Sequence, residues 1–223
     1  MKLSSGVFER TSGGDTITGA STFYLCLTLS LVWGLVVTGL LADYAINIGF
    51  QPNSWLVLIL IGLVVPMLGV WIALSSDNPI ISFIGYNMIV APFGFLLGPV
   101  VQHYSPNVVK NACYLTGAIT LVMGTLGVVF PSFFSRIGGA LFAALLGLVV
   151  VRIIQIFVPA MQGWGFIEYI SAGIFSLYIG YDMWRASEIE KTVDNAIDVS
   201  VALYLDILNL FLSILEILGE NDD

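Results

Sequence analysis

The sequence predicts an all-α membrane protein of seven transmembrane helices. Of its 223 residues, 58% are hydrophobic and only 10% are charged, whereas a soluble domain carries about 25% charged residues. Its apolar runs are long enough for helices of roughly 20 residues, the length that crosses a bilayer. Runs such as Leu56 to Val65 are continuously apolar and lack the two-residue alternation of a membrane strand. Seven such spans leave only short loops, so we expect one membrane domain and no separate soluble domain.

Turn-forming residues divide the apolar chain into the predicted spans. The breaks are Asp43 to Pro52, Ser75 to Pro79, His103 to Asn107, Phe130 to Ser132, Pro159 to Trp164 and a charged loop at about 186–197. The spans between them are about 20–42, 54–74, 80–101, 109–130, 136–158, 165–185 and 198–218. We expect a polar N-terminal segment at 1–18, the seven-helix domain at 19–219 and a short acidic tail at 220–223. The first segment is polar and of mixed charge, which is not the pattern of a signal peptide.

Small residues and prolines predict where helices pack closely. The small residues form two rows, Gly94 and Gly98 on the third span and Gly139, Ala143 and Gly147 on the fifth. Such rows let helix backbones approach one another. Pro92 and Pro99 on the third span indicate either a kinked or broken helix or prolines used in packing.

Lysines and arginines near the span ends predict the orientation of the chain. Most of them fall on one side of the membrane, namely Lys2, Arg10, Arg136, Arg185 and Lys191, against Lys110 on the other side. This bias places the N-terminus in the cytoplasm, and an odd number of spans then places the acidic C-terminus outside.

The charge and the cysteines exclude some classes of partner. The net charge is −8, and nothing suggests the basic face that nucleic-acid binding needs. Cys26 and Cys113 both lie in apolar runs, where we expect them to be buried rather than to form disulfides or bind a metal.

Ionisable residues at membrane depth are costly and mark functional sites. Two consecutive spans each carry such residues on one narrow face, within an arc of about 80° at ~100° per residue. On the sixth span this face holds Glu168, Ser171, Phe175, Tyr178 and Asp182. On the seventh it holds Asp198, Ala202, Asp206, Asn209, Ser213 and Glu216. We expect both stripes to face the bundle interior or each other rather than lipid.

Asp182 and Asp206 are placed symmetrically about Asp194, the midpoint of the last loop. In an antiparallel hairpin centred there, both lie at the same depth, about 10 Å into their helices for a loop of roughly ten residues. Two carboxylates that meet in a low-dielectric site cannot both ionise cheaply, so one proton would be shared. With both charged, repulsion and hydration favour opening or a bound cation. With one proton held, a hydrogen bond closes the helices together.

The charged pair is also the candidate metal site. Ca²⁺ prefers oxygen ligands such as carboxylates, amide oxygens and water, and Asn209, one turn from Asp206, could add an oxygen. Asp182 and Asp206 alone are few ligands, so we expect passage of Ca²⁺ rather than storage, and no tightly bound cofactor. The candidate supporting residues are Tyr178, Arg152, Arg185, Asp198 and Glu216.

Each charged residue also has a plain structural interpretation. Asp182 could pair with Arg185 near the interface, and Asp206 could bond a neighbouring helix. Arg152, inside the fifth span, either snorkels outward or offers a counter-charge to a carboxylate. Three acidic residues near helix ends are expected to be solvated, namely Asp198, Glu216 and Glu168.

Three stretches resemble a known family, namely Leu177–Asp182, Ala202–Phe211 and Gly94–Val100. They resemble the transmembrane Bax-inhibitor-motif family, and the compact length is similar to that of its bacterial members. The resemblance implies a last helix at the centre, wrapped by the other six, in a bacterial cytoplasmic membrane. It also implies a pH-sensitive calcium leak in which Asp182 and Asp206 are the sensor.

The resemblance has one clear departure. Some family members place an acidic and a basic residue on the second span, where the basic one latches to an aspartate. Residues 55–75 contain no charged residue here. The latch would therefore fall to Arg152 or Arg185, or to a proton between the two aspartates.

Two other functions are open from the sequence. The chain could be a membrane stress-response protein that interacts with and regulates a membrane protease. It could also be an intramembrane aspartyl protease, since Tyr181-Asp182 fits that class, but the seventh span lacks the glycines expected before its aspartate. A non-enzymatic leak is the interpretation we favour, with the lipid bilayer, Ca²⁺ and protons as partners, further membrane proteins as candidates, and a monomeric chain.

Overall fold

The computed structural model describes residues 17–158 and 165–220. These residues form seven helices, as predicted. They are α1 (Ala20–Asn47), α2 (Trp55–Ser75), α3 (Pro79–Val101), α4 (Pro106–Val129), α5 (Pro131–Phe157), α6 (Phe166–Glu188) and α7 (Val193–Gly219). Most of the predicted polar segment at 1–18, the break at 159–164 and the tail beyond 220 lie outside the described residues.

The helix starts follow the turn signals of the sequence. Three helices begin on a proline, which suits the first helical position because its missing N–H has no partner there. Asn78 caps α3 through its side-chain oxygen, which accepts from the Ile80 N–H at 3.0 Å. Ser105 caps α4, its hydroxyl accepting from the Val108 N–H at 3.4 Å. Such caps satisfy N–H groups that the first turn leaves free.

Several predicted boundaries were wrong by up to five residues; α5, for example, begins at Pro131 rather than at 136. α1 continues past residue 42 to Asn47, and the Asn47 side-chain amide donates to the Asp43 carboxylate at 3.0 Å within the last turn. The last loop is short, because α6 ends at Glu188 and α7 begins at Val193. Asp182 therefore lies roughly 9 Å from the end of α6 and Asp206 roughly 20 Å from the start of α7 at 1.5 Å per residue, so the predicted symmetric placement of about 10 Å into each helix is wrong.

Six of the described helices are long and apolar enough to cross a membrane, all except α6. The chain is thus an integral multi-pass membrane protein. The sixth helix is less apolar because it carries Glu168, Asp182 and several hydroxyl groups.

A π-helical segment interrupts α2 at Leu60–Val64. Pro66 lies two residues beyond its end, and a proline in a helix lacks the N–H that would bond the carbonyl four residues earlier. A wider turn at this point accommodates the ring, which is a common origin of such segments. By contrast, α3 runs without a break through both Pro92 and Pro99, so the broken-helix alternative for this span is wrong.

The chain packs as two compact units. The first contains α1, α2, α3 and α7 as far as Tyr204, and the second contains α4, α5, α6 and α7 from Leu205. In the first unit, a Cβ on Gly98 would lie 2.7 Å from the Ala42 carbonyl oxygen, and one on Gly94 would lie 2.8 Å from Leu41 Cβ. The predicted close packing of this row is confirmed.

The second glycine row does not pack as expected. A Cβ on Gly139 or Gly147 would meet no atom within 4 Å. The close approach lies elsewhere in this unit, where Gly127 of α4 rests against the Gly180 backbone of α6. The predicted close packing of the Gly139, Ala143 and Gly147 row is therefore wrong, and the close approach in this unit uses a glycine of α4 instead.

The last helix is the most buried of the candidate spans. In its most apolar window 61% of the residues are buried, against 11% to 33% in the other five. Each half of α7 is enclosed within its own unit, so the helix is central in part, as predicted.

Candidate functional site

The polar stripe of α6 is directed into the second unit. Glu168, Ser171, Phe175 and Asp182 are buried, and Tyr178 is half-buried. On the part of α7 that belongs to this unit, Asp206 and Ser213 are buried as well. The prediction that both stripes face inward is confirmed for these residues.

The two aspartates meet. Asp182 is 7% exposed and Asp206 is 8% exposed, and their carboxyl groups lie close enough to act on each other directly. The antiparallel register of α6 and α7 in this unit brings them side by side despite their unequal distances from the loop. Two carboxyl groups can share a hydrogen bond only when one of them holds a proton.

One oxygen of the pair lacks a donor from the protein. Asp206 Oδ2 is buried, with no hydrogen-bond donor among the described residues. A buried oxygen in this state is costly, and it favours the protonated form of Asp206, which carries less charge into this site.

Two further side chains surround the pair. The Tyr178 ring lies near enough for its hydroxyl to interact electrostatically with both aspartates. The charge of Arg185, on the last turn of α6, acts on Asp182, while its guanidinium carbon lies 5.8 Å from the centre of the Tyr181 ring. Arg185 therefore acts on Asp182 through its charge, alongside the contact of Asp182 with Asp206.

Asn209 turns its amide toward its own helix. Its Nδ2 donates to the Leu205 carbonyl at 2.7 Å. This leaves the amide oxygen as the group that Asn209 could offer to a ligand. Among the described residues, no group of three or more His, Cys, Asp or Glu side chains is placed to hold a metal ion.

A second carboxyl pair lies at the opposite end of the same helix interface. The carboxylates of Glu168 and Glu216 lie near enough to repel each other, and Arg152 of α5 makes a forked ion pair with Glu168. Its Nη1 lies 2.6 Å from Oε1, and its Nη2 lies 2.6 Å from Oε2. The Arg152 side chain is 39% exposed, against 4% for the Glu168 side chain. Of the two alternatives for Arg152, the counter-charge is correct.

This end of the unit adjoins the loop between α3 and α4. A Cβ on Gly219 would fall against the Tyr104 ring. Burial raises the pKa of Tyr104, and the nearby carboxylates of Glu216, Glu168 and Glu220 raise it further. The acidic end of the helix pair therefore lies beside a connecting loop.

The three solvation predictions had mixed outcomes. Glu216 is exposed, as expected. Glu168 is 3% exposed, so its predicted solvation is wrong, and the forked contact with Arg152 explains how its charge is accommodated. Asp198 is also buried, within the first unit. In both cases a position near a helix end was not an exposed position, because neighbouring elements cover it.

Sequence reasoning missed a polar cluster in the first unit. The Ser82 hydroxyl donates to Asp194 Oδ1 at 2.6 Å, and both residues are buried. The Ser200 hydroxyl lies 3.0 Å from the Leu27 carbonyl oxygen. The available signal was the four-residue spacing of Asp194, Asp198 and Ala202, which extends the α7 stripe to its first turn.

The prediction that both cysteines are buried was also wrong, because Cys26 is only half-buried and Cys113 is exposed. Both are free thiols.

Comparison with known proteins agrees with this architecture. Residues 20–223 match the family described as inhibitor of apoptosis-promoting Bax1. An uncharacterised membrane protein of Vibrio cholerae serotype O1 is 30% identical over 216 residues, covering 95% of this chain and 92% of the relative. A protein of Helicobacter pylori strain J99 is 35% identical over 124 residues, covering 56% and 53%. Bax inhibitor 1 of Schizosaccharomyces pombe is 31% identical over 136 residues, covering 58% and 50%.

The family match spans all seven helices, and the Vibrio relative is similar over almost the whole of both chains. The chain therefore belongs to the Bax inhibitor family of integral membrane proteins.

Proposed function

We propose that this protein is a pH-sensitive calcium leak whose path is gated by Asp182 and Asp206. The observation that carries the proposal is the contact between the two buried carboxyl groups on neighbouring helices. Placing carboxyl groups at this depth is costly and is rarely explained by packing alone.

The state of the pair follows from its protons. With one proton, the carboxyl groups hold each other by a hydrogen bond, and α6 and α7 stay together at this level. Without it, two negative charges face one another in a site of low dielectric constant. The helices then separate, or the pair takes up a cation, and Ca²⁺ fits because its ligands are oxygens. Since Ca²⁺ takes six to eight oxygens, the ion would complete its shell with water, which suits passage.

The basic partner of the pair differs from the one that the family resemblance implied. The second span carries no charge, while Arg185 on α6 itself acts on Asp182. This arrangement supports a closed state held mainly by the shared proton, with Arg185 reducing the repulsion that follows its loss. We place the protein in the bacterial cytoplasmic membrane as a monomer with its N-terminus in the cytoplasm.

The proposal is tested by Ca²⁺ flux into liposomes that contain the purified protein, measured with an internal dye at several pH values. We expect flux that rises with pH as the shared proton is lost. Asp206→Asn should reduce the flux and make it independent of pH, because an amide donates permanently to Asp182. Asp43→Asn is the matched control, since Asp43 is exposed on α1. Absence of flux at every pH, or an Asp206→Asn profile like that of the wild type, would overturn the proposal.

A further inference from the structure

The aspartate pair is one end of a longer row of polar contacts in the second unit. Three pairs join α6 to α7 there, namely Asp182–Asp206, Ser171–Ser213 and Glu168–Glu216. The Ser213 hydroxyl donates to the Ser171 hydroxyl at 2.7 Å, and both are buried. We name these three pairs the polar seam.

The seam is nearly continuous along α7. Asp206, Asn209, Ser213 and Glu216 follow one another at steps of three or four residues, which is roughly 5 Å per step at 1.5 Å per residue. On α6 the gap between Ser171 and Asp182 is filled by Phe175 and Tyr178, whose ring centres lie 6.5 Å apart. Polar groups of α7, with the two aromatic rings of α6 beside them, thus follow one another from the aspartates to the end where α6 begins.

Arg152 stands at that end. It covers Glu168, being itself 39% exposed while the Glu168 side chain is 4% exposed. Its fork occupies both carboxylate oxygens of Glu168, and its charge also acts on Glu216. A cation that reached this end would have to displace the guanidinium before it could bind Glu168.

We propose that Arg152 closes the polar seam at its far end by occupying Glu168, and so forms a second gate distinct from the aspartates. This inference rests on the proposed function, because a gate presupposes a path. Removal of the positive charge leaves the carboxyl groups of Glu168 and Glu216 near each other with no counter-charge from Arg152. Water and cations then enter the seam from this end.

The test uses two readouts on the full chain. The first is the rate at which a small water-soluble thiol reagent modifies Ser171→Cys, in a background with Cys26→Ala and Cys113→Ala. Arg152→Gln should raise this rate at least tenfold, because it uncovers the seam. Arg152→Lys, which keeps the charge but cannot make the fork, should give an intermediate rate. Arg136→Gln is the matched control, since Arg136 is an exposed arginine on the same helix. Ser213→Cys serves as a second reporter if Ser171→Cys fails to fold.

The second readout is Ca²⁺ flux into liposomes, which Arg152→Gln should increase several-fold. Labelling that Arg152→Gln leaves unchanged, or that Arg136→Gln raises equally, overturns the second gate even if the wild type conducts Ca²⁺. Faster labelling in Arg152→Gln with no flux in any variant supports the gate on the seam and overturns the calcium function. The two failures are therefore distinguishable.

Discussion

At the scale of single residues, the effect of a buried hydroxyl group on stability depends on whether it has a hydrogen-bond partner. Tyr86 and Tyr204 are both fully buried in the first unit, and their rings pack edge to face with centres 5.6 Å apart. The Tyr204 hydroxyl lies 2.7 Å from the Thr38 hydroxyl in a buried hydrogen bond. The Tyr86 hydroxyl has no hydrogen-bond partner among the described residues.

This contrast predicts opposite effects of the same substitution. Tyr204→Phe leaves the buried Thr38 hydroxyl without its partner, which costs about 1–3 kcal/mol of the free energy of unfolding. Tyr86→Phe removes an unsatisfied hydroxyl and should be neutral or stabilising. Thermal unfolding of both variants in the same detergent checks this, and equal losses of stability would contradict it.

The sequence predicted which side chains of the candidate site face inward better than it predicted which residues they contact. Helical periodicity alone placed Asp182, Ser171 and Ser213 on inward faces, because the 3.6-residue repeat fixes which side chains share a face. It could not resolve Arg152, since the choice between snorkelling and pairing depends on which helix lies opposite. It placed Glu168 and Asp198 wrongly because proximity to a helix end says nothing about the element that covers that end.

At the scale of helices, packing in the second unit depends on a glycine that the row pattern did not include. A Cβ at Gly127 of α4 would strike the Gly180 carbonyl oxygen of α6, whereas one at Gly117 of α4 would meet nothing within 4 Å. Small residues let helices approach one another, but only the structure shows which of several glycines faces a neighbouring helix. The row at Gly139 and Gly147 has the same sequence pattern and no such neighbour.

These two glycines give a matched comparison on one helix. Gly127→Ala must push α4 away from α6, and overpacking of this kind costs about 1–3 kcal/mol. Gly117→Ala should be neutral or slightly stabilising, because alanine is the better helix former. The midpoints of thermal unfolding measure the difference. A Gly127→Ala midpoint equal to that of Gly117→Ala would show that the close approach is not required.

At the scale of the whole molecule, the seven helices and the central character of α7 were predictable because apolar length and turn residues dominate a membrane chain. The bounds of the loop between α6 and α7 could not be predicted. The charged residues at 188–194 suggested a loop there, although α7 already begins at Val193. The helix that departs most from an ordinary span, α6, is also the one that carries half of the candidate site. The polar residues that α6 contributes to the candidate site are therefore also the reason for its low hydropathy.

The membrane crossing of α6 decides the topology. If all seven helices cross, the two termini lie on opposite sides of the membrane, and we expect the N-terminus in the cytoplasm. Reporter proteins that are active on only one side, fused to either terminus, test this directly. Termini found on the same side would mean that α6, the helix outside the six apolar candidates, does not span the bilayer.

The central claim is that Asp182 and Asp206 act as one unit that gates the path. Groups that act as a unit lose their function together, so their effects do not add. The most direct measurement is the Ca²⁺ flux of liposomes containing Asp182→Asn, Asp206→Asn or both changes, each checked for wild-type thermal stability. We predict that the double variant loses no more flux than either single variant. Losses that multiply, or one aspartate that proves dispensable, would contradict the account.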